Sequence, residues 1–433
     1  MKIQLIYPSG RKTCPDIAWW KQPKSHRYPG LGLTMVAALS PGEADVSIVD
    51  DDREEVDFKK RVDLVGISLL TSNARRGYDL ARLYRARGIP VVLGGMHVSS
   101  CPEEAQENAD AVVIGEAEDT WPALIKDFAA GRLQKVYRSS NSSDLRNLPF
   151  PRRDLLVKED YITINNVQAT RGCPFDCEFC SIAALFGHKT RFRPIEEVLA
   201  EIESLGGKTF MFSDDNLAQG GNYFKELFRR LIPLKKRWVS SASWNIARDD
   251  ETLDLLERSG CRGLAIGFES LQPQHDVKKI RPTENMALLY KESIRKLHRR
   301  GISILGAFIF GFDNEDETVF KKTLQFALES QIDVAQLNIL VPFPGTRLRK
   351  RLEAEDRIIE KDWSKYMASN LCFKLKNMAP ETFLEGYRWV KRKFHTIPRI
   401  VQRLAWASTR SGPLELSLLL GVNLGNRKAI KPV

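Results

Sequence analysis

"ITINNVQATRGCPFDCEFC", residues 162–180, decides how the rest of the chain is read. Its first half is a strand pattern rich in β-branched residues. Its second half packs Cys173, Cys177 and Cys180 into eight positions, spaced C-x3-C-x2-C. Thiolates grouped in this way hold zinc or iron–sulfur clusters. A structural zinc site needs four protein ligands, usually two separated pairs. The remaining cysteines, Cys14, Cys101, Cys261 and Cys372, form no second C-x2-C pair. Three thiolates in one tight loop therefore predict a cubane [4Fe–4S] cluster with one iron left open for a small molecule, as catalytic metal sites keep a position open.

Downstream of this loop the pattern repeats. "KTFMFSD", "WVSSASWNI", "CRGLAIGFES", "ISILGAFIFGF" and "DVAQLNILV" read as strands, separated by amphipathic helices such as "PIEEVLAEIESLG" and "DDETLDLLERSG". Six βα units predict a partial (β/α)6 TIM-like barrel over residues 159–365, with its chemistry at the C-terminal strand ends. Upstream, residues 1–140 carry five short apolar runs: "IQLIY", "VSIVD", "DLVGISLL", "PVVLGG" and "DAVVIGE". Apolar strands alternating with helices predict a parallel sheet covered on both faces, a doubly wound flavodoxin/Rossmann-like α/β domain. Its ligand is expected beyond the strand ends, where "PSG", "GGMH" and "GEAE" fall. Residues 141–158 are polar, proline-bearing and aperiodic, a linker. Residues 366–433 form a short helical C-terminal region.

Composition bounds the setting. The 43% hydrophobic and 28% charged residues are those of an ordinary globular protein. The N-terminus lacks the pattern of a signal peptide, and no run approaches the roughly 18–20 apolar residues that span a bilayer. An odd seven cysteines, three in one cluster, fit a reducing cytoplasm rather than a disulfide framework. The net charge of +11 is concentrated: from Arg388 onward there are ten Lys or Arg against one acid, Glu415. The rest is nearly neutral, which argues against nucleic acid as a partner. Within this basic tail, apolar residues at 390, 394, 397, 401 and 404 form an amphipathic stripe flanked by Trp389 and Trp406. Two readings stand: peripheral attachment to the inner face of a membrane, or a cover over the open side of the barrel.

A C-x3-C-x2-C loop after the first strand of a βα barrel, with Phe179 before the third cysteine, resembles the radical SAM superfamily. The resemblance implies that the open iron chelates S-adenosylmethionine. Reduction by a flavodoxin- or ferredoxin-type donor then releases a 5′-deoxyadenosyl radical. It also implies cofactor contacts at successive strand ends. Asp214 and Asp215 in "FMFSDDN" are candidates for the methionine ammonium, and Ser243 and Asn245 in "SASWNI" for the ribose and carboxylate. Glu269 in "GFES" is a further polar candidate, while Ile309 and Gly311 in "GAFIFGF" would pack adenine beside Phe179.

The N-terminal stretches "GGMHVSSCPEEA" and "DAVVIGEAEDTW" are similar to the branch with a cobalamin-binding-like domain, whose members modify hopanoid lipids and tetrapyrroles. This implies a cobalamin cofactor and C-methylation of an unactivated carbon on a small lipophilic substrate, as in lipid biosynthesis. Gly94, Gly95 and Gly115 would allow a large ligand or its nucleotide tail to approach the backbone. The D-x-H-x-x-G element that ligates cobalt elsewhere is missing, since "DDDREE" (50–55) holds no histidine. His97 is the nearest candidate. Without cobalamin, the same barrel would suit radical cyclisation, oxidation or carbon–carbon bond formation. RNA methylthiotransferases resemble this chain only in the barrel and carry three N-terminal cysteines, where this chain has Cys14 and Cys101. A plain iron–sulfur electron carrier would not need the strand-end polar groups.

Overall fold

The structure is a computed structural model, which describes the chain except residues 11, 13–27, 140–142, 218–220, 273–284 and 431–433. The first sheet comprises β1 (Lys2–Tyr7), β2 (Asp45–Asp50), β3 (Leu64–Ser68), β4 (Val91–Gly94), β5 (Ala111–Ile114) and β6 (Val136–Arg138). All pair in parallel, in the order β2-β1-β3-β4-β5-β6. The reversal between β1 and β3 is that of a doubly wound fold, as the alternating apolar runs predicted. Consecutive residues feed two different cores. Leu5, Val92 and Val113 pack with Leu33 and Trp121, while Ile6, Leu93 and Val112 pack with Leu80 and Tyr84 on the opposite face. That two-sided burial is why these strands read as unbroken apolar runs. The sixth strand is absent from the sequence reading because only Tyr137 of its three residues is buried.

The second sheet is also parallel and six-stranded, and it runs in sequence order from edge to edge. It contains β7 (Asn166–Val167), β10 (Thr209–Phe212), β11 (Arg237–Ser243), β12 (Cys261–Glu269), β13 (Ser303–Phe310) and β14 (Val334–Ile339). A short antiparallel pair, β8 (Thr170–Arg171) with β9 (Arg191–Phe192), brackets the cysteine loop. The expected first strand over 162–170 is thus cut to two residues. At its C-terminal end, Ala169 and Thr170 donate their N–H groups to the Asp214 carboxylate instead of to a neighbouring strand. Likewise β11 stops at Ser243, and Trp244–Arg248 turn into a 3-10 helix.

The C-terminal region completes the barrel wall. Ile339 donates its N–H to Ala368 O at 2.7 Å, extending the open edge at β14. Along the helix Pro380–Phe394, the residues Phe383, Tyr387, Val390 and Phe394 join the barrel core. The first part of the predicted stripe therefore faces protein, while Ile397 and Val401 are 45% and 58% exposed. Pro398 occupies the first turn of a new helix, Ile397–Ala407, where a missing N–H costs nothing. Two of the tail's cations are internal pins: Arg403 bonds Asn423 Oδ1 at 2.7 Å, and Arg410 pairs with Asp333. The linker is anchored as well. Arg153 is buried and pairs with Glu201, and the Asn147 N–H bonds Glu197. No helix among the described residues is long and apolar enough to cross a membrane.

Candidate active site

The cysteine loop leaves β8 and ends at the helix Ser181–Phe186, which begins directly after Cys180. All three thiols are half-buried. At Gly172 the backbone has φ +92°, and a Cβ would lie 2.3 Å from Lys189 O, so the loop can turn there only with glycine. Asp214, at the end of β10, is 3% exposed. It accepts hydrogen bonds from Ala169 N at 3.1 Å, Thr170 N at 2.6 Å and Thr170 Oγ1 at 2.6 Å. Burial pushes its carboxyl up to about 7 against those bonds. Its neighbour Asp215 receives the Gly172 N–H at 2.8 Å on one oxygen. Burial raises its carboxyl too, opposed by the Gly172 bond and by Arg171 and Arg191.

A polar relay continues along the strand ends. Asn216 places Nδ2 3.6 Å from Cys173 Sγ, and its Oδ1 accepts the Ser243 N–H at 3.0 Å. Ser243 Oγ lies 2.7 Å from Asn245 Oδ1. Glu269 ends β12 with φ +59°, where the register slips between Gly267 and Glu269. A left-handed conformation is unfavourable for a glutamate by about 1 kcal/mol or more, and such strain concentrates at functional sites. At the end of β13, Gly311 and Phe312 donate to Glu315 Oε2 at 2.8 and 3.2 Å, and Ser270 Oγ bonds Oε1 at 3.0 Å. Glu315 is 1% exposed, and its burial pushes it up to about 7. Phe179 and Ile309 share one apolar cluster with Phe312, Leu340 and Phe373, and the Phe179 and Phe312 rings meet edge-on at 5.9 Å.

Asn216 and Glu315 were missed by the sequence reading. Asn216 was within sight, as the residue after the paired aspartates. Glu315 gave no signal, because an acid four residues past a strand reads as an ordinary turn residue.

The thiols suit a cluster better than a single ion. Four sulfurs around one zinc at 2.3 Å sit about 3.8 Å apart. Among the described residues, the only trio of metal-ligand types whose atoms all lie within 4.8 Å of one another is His97, Cys101 and Glu104, so the three loop cysteines are spread more widely. Cys14 lies outside the described residues.

The N-terminal domain holds a cleft of about 390 Å³ lined by Gly94, Gly95, Gly115, Leu33 and Trp121, and closed from the barrel side by Gln168, Arg171 and Ser213. Gly95 has φ +96°, and a Cβ there would meet Leu69 O at 2.8 Å. His97 does not line this cleft. It is fully buried, with Nε2 3.4 Å from Glu104 and its ring edge-on to Trp363 at 5.4 Å. That geometry gives it a packing role where the domains meet. The seam is also ionic. Glu116 accepts from Arg171 and Arg191, each at 2.8 Å, and Arg171 reaches Glu118 at 2.7 Å. Burial alone would raise the Glu116 carboxyl, but the two guanidiniums hold it at about 2. A second cavity, about 470 Å³, opens between Leu70 and Met96 of the first domain and Gln336–Asn338 of β14, and reaches Ser181 beside Cys180.

A doubly wound domain carrying a glycine-lined cleft, joined to a partial barrel with three clustered thiols, defines a radical enzyme with a nucleotide-type cofactor domain. The family comparisons agree: the radical SAM superfamily matches residues 167–327, and the B12 binding domain matches residues 25–125. The chain belongs to the radical SAM superfamily, in the branch bearing a B12 binding domain, and it is an enzyme whose relatives include methyltransferases. It is 33% identical over 387 residues to the bacteriochlorophyllide d C-12(1)-methyltransferase of Chlorobaculum tepidum, covering 86% of this chain and 84% of that protein. It is 28% identical over 351 residues to the hopanoid C-2 methylase of Rhodopseudomonas palustris, covering 77% and 66%. Among solved structures, the radical S-adenosylmethionine methyltransferase TsrM from Kitasatospora setae, with cobalamin and a [4Fe–4S] cluster bound, superposes with a TM-score of 0.67. That match covers 96% of this chain and 89% of TsrM at 16% identity, a likeness of fold. The cofactors expected from the sequence, a [4Fe–4S] cluster, S-adenosylmethionine and cobalamin, are those of the two matched families.

Proposed function

We propose that this chain is a cobalamin-dependent radical SAM C-methyltransferase that methylates an unactivated carbon of a lipophilic, tetrapyrrole-like substrate. One observation carries the reading: the 470 Å³ cavity has walls from both cofactor domains and extends to Ser181, next to the third cysteine. A substrate there would lie within reach of both cofactors. When bound, the cluster and S-adenosylmethionine supply a hydrogen-abstracting 5′-deoxyadenosyl radical, and cobalamin supplies the methyl group.

The chain's own residues divide the remaining work. Cys173, Cys177 and Cys180 would hold the cluster, with Asn216 donating toward the Cys173 sulfur. Asp214 positions the loop through three hydrogen bonds and has little capacity left for a ligand. Asp215 engages the loop through one oxygen, leaving the other for the methionine ammonium. Ser243, Asn245 and Glu269 supply polar groups for the ribose and carboxylate. Phe179, Ile309 and Gly311 offer an apolar wall for adenine. Gly94, Gly95 and Gly115 admit the cobalamin tail where side chains would block it.

The electron donor in this reading is a small flavodoxin or ferredoxin. Membrane contact, if the substrate is delivered from lipid, falls to Ile397, Val401, Leu414, Leu418 and Leu420, all exposed, beside the basic residues Arg392, Lys393 and Arg399. Co-sedimentation with anionic liposomes should fall sharply for Ile397→Asp/Val401→Asp, and equal pelleting of both proteins would remove this part.

The central test is anaerobic reconstitution with iron, sulfide and hydroxocobalamin, then turnover with a bacteriochlorophyllide-type acceptor and methyl-labelled S-adenosylmethionine. Label in the chlorin is the expected result. Cluster loading and 5′-deoxyadenosine formation without bound cobalamin or methyl transfer would instead favour cyclisation, oxidation or carbon–carbon coupling.

A further inference from the structure

The helix Pro380–Phe394 contributes Tyr387, Lys391 and, just past its last turn, His395 to the lining of the 470 Å³ cavity. These fall four residues apart and so share one face. The lining around them combines apolar groups of β14 and residues 366–369 with the neutral polar side chains of Gln336, Asn338, Ser369 and Asn426. Two polar groups within it lack what they need.

Lys391 is one. Its Nζ donates to Tyr387 Oη at 3.2 Å, and Tyr387 passes its own O–H to Leu337 O at 2.9 Å. That uses one ammonium donor of three. No carboxylate among the described residues pairs with it, and burial alone pushes its ammonium below the usual range. A half-buried ammonium facing a cavity without a counter-ion is unfavourable unless a ligand supplies the charge.

His395 is the other. It is 2% exposed, and its Nδ1 sits 2.9 Å from Lys391 O, so Nδ1 carries the proton and Nε2 is a bare acceptor. That Nε2 is buried with no partner. Burial pushes the imidazole down to about 4, and the charged groups around it are all cations: Arg403, Lys391 and Arg427.

We infer that Lys391 and His395 form a subsite for the carboxyl group of an otherwise apolar substrate. One carboxyl oxygen accepts from the Lys391 ammonium. The other accepts from His395 Nε2, which takes up one proton from solvent as the carboxylate binds, so that the cationic setting gains its anion and the bare nitrogen its partner. A lone hydroxyl would satisfy only His395, and an amine would be repelled by Lys391. The subsite would fix which end of the substrate lies against the tail, and hence which carbon lies toward the cysteine loop. The inference deepens the tetrapyrrole-methyltransferase reading and rests on it.

The test compares pheophorbide a, which has one free propionate, with its methyl ester, binding each to the cluster- and cobalamin-loaded protein by fluorescence. The wild type should prefer the acid by roughly ten- to hundredfold, the range of a charge-assisted hydrogen bond. Lys391→Met should lose most of the preference for the acid, with the ester affinity of the wild type showing that the pocket is intact. Lys391→Arg should restore part of the preference, and His395→Phe should reduce it. Equal binding of acid and ester by the wild type, or a preference undiminished in Lys391→Met, would overturn the subsite while leaving the substrate class standing. If neither form binds the wild type, the tetrapyrrole class falls, and the subsite with it.

Discussion

The two halves of this molecule bring the C-terminal ends of six-stranded parallel sheets to one junction, but they furnish those ends with opposite materials. After β4 and β5 the first domain offers Gly94, Gly95 and Gly115 above Leu33, Val36 and Trp121. After β10 to β13 the barrel offers Asp214, Asp215, Asn216, Ser243, Asn245 and Glu269, with Glu315 behind. One end is mainly a slot, with Glu116 and Glu118 at its barrel side paired to Arg171 and Arg191, and the other is a set of donors and acceptors. In the function proposed above, the difference follows from what each would hold. A bulky cofactor whose reactivity is its own needs mainly shape and exclusion of water. A sulfonium cofactor that must be chelated, oriented and cleaved needs fixed charges.

The largest effect that would break this division comes from Cys177→Ala. It should abolish cluster assembly and all 5′-deoxyadenosine formation, while hydroxocobalamin still binds the first domain. Iron content, absorption and product analysis check it. Normal cleavage would remove the cysteines from the site, and loss of cobalamin as well would mean that the halves are not independent.

Gly94→Leu is the reciprocal experiment. The backbone tolerates a Cβ there, since its nearest neighbour would be Val113 Cβ at 3.7 Å. The longer side chain would then occupy the cleft. Cobalamin retention after desalting should drop to background with cluster content unchanged. Full cobalamin occupancy would place the cofactor elsewhere.

The division also governed what could be read in the sequence. The barrel was legible because charge leaves marks: three cysteines in eight positions and paired aspartates stand out against apolar strands. The slot left only glycines, whose meaning depends on what faces them. His97 was drawn to attention by its chemistry, yet it packs against Trp363, a partner 266 residues away that no local pattern joins to it. The tail was legible as amphipathic, but the sequence could not say that Val390 and Phe394 face the barrel while Val401 faces outward. The reading as a cover for the barrel holds for Val390 and Phe394, while Ile397 and Val401, on the helix that Pro398 opens, are exposed. Strand ends were the poorest guide. Asp214 shortens the first barrel strand by taking its N–H groups, a contact between residues 44 and 45 positions apart.

The burial of Asp214, which outweighs that contact, supplies the third prediction. The Asp214 carboxyl titrates near 7 in the folded chain against 3.8 in its ordinary state. Its protonated form is therefore favoured by folding. The stability it lends is complete below about pH 3.8 and is lost as the pH rises toward 7. Asp214→Asn cannot ionise, so the melting temperature of wild type minus variant should fall between pH 5 and pH 8, by at most a few kcal/mol in stability. Glu315 shifts in the same direction but is common to both proteins and cancels. A flat difference would mean that the three hydrogen bonds, which favour the ionised carboxylate, fully offset its burial.

Asp215→Ala should give the smallest effect and separates two adjacent carboxylates of different purpose. Asp215 makes one bond to the loop, Gly172 N at 2.8 Å, and is less buried than Asp214. The cysteine loop should therefore survive its loss, with iron and sulfide content near wild type. The missing interaction is the one to the methionine ammonium, and S-adenosylmethionine should bind about tenfold more weakly or worse, as for loss of one charge-assisted hydrogen bond. Equilibrium binding to the reconstituted cluster measures this directly. An unchanged affinity would transfer the ammonium to another group, and since Asp214 already accepts three hydrogen bonds, the search would move to Glu269 at the C-terminal end of β12. Loss of the cluster instead would show that the single Gly172 contact carries the loop, which would make both aspartates positioning residues and leave the barrel's charged end without its ligand contact.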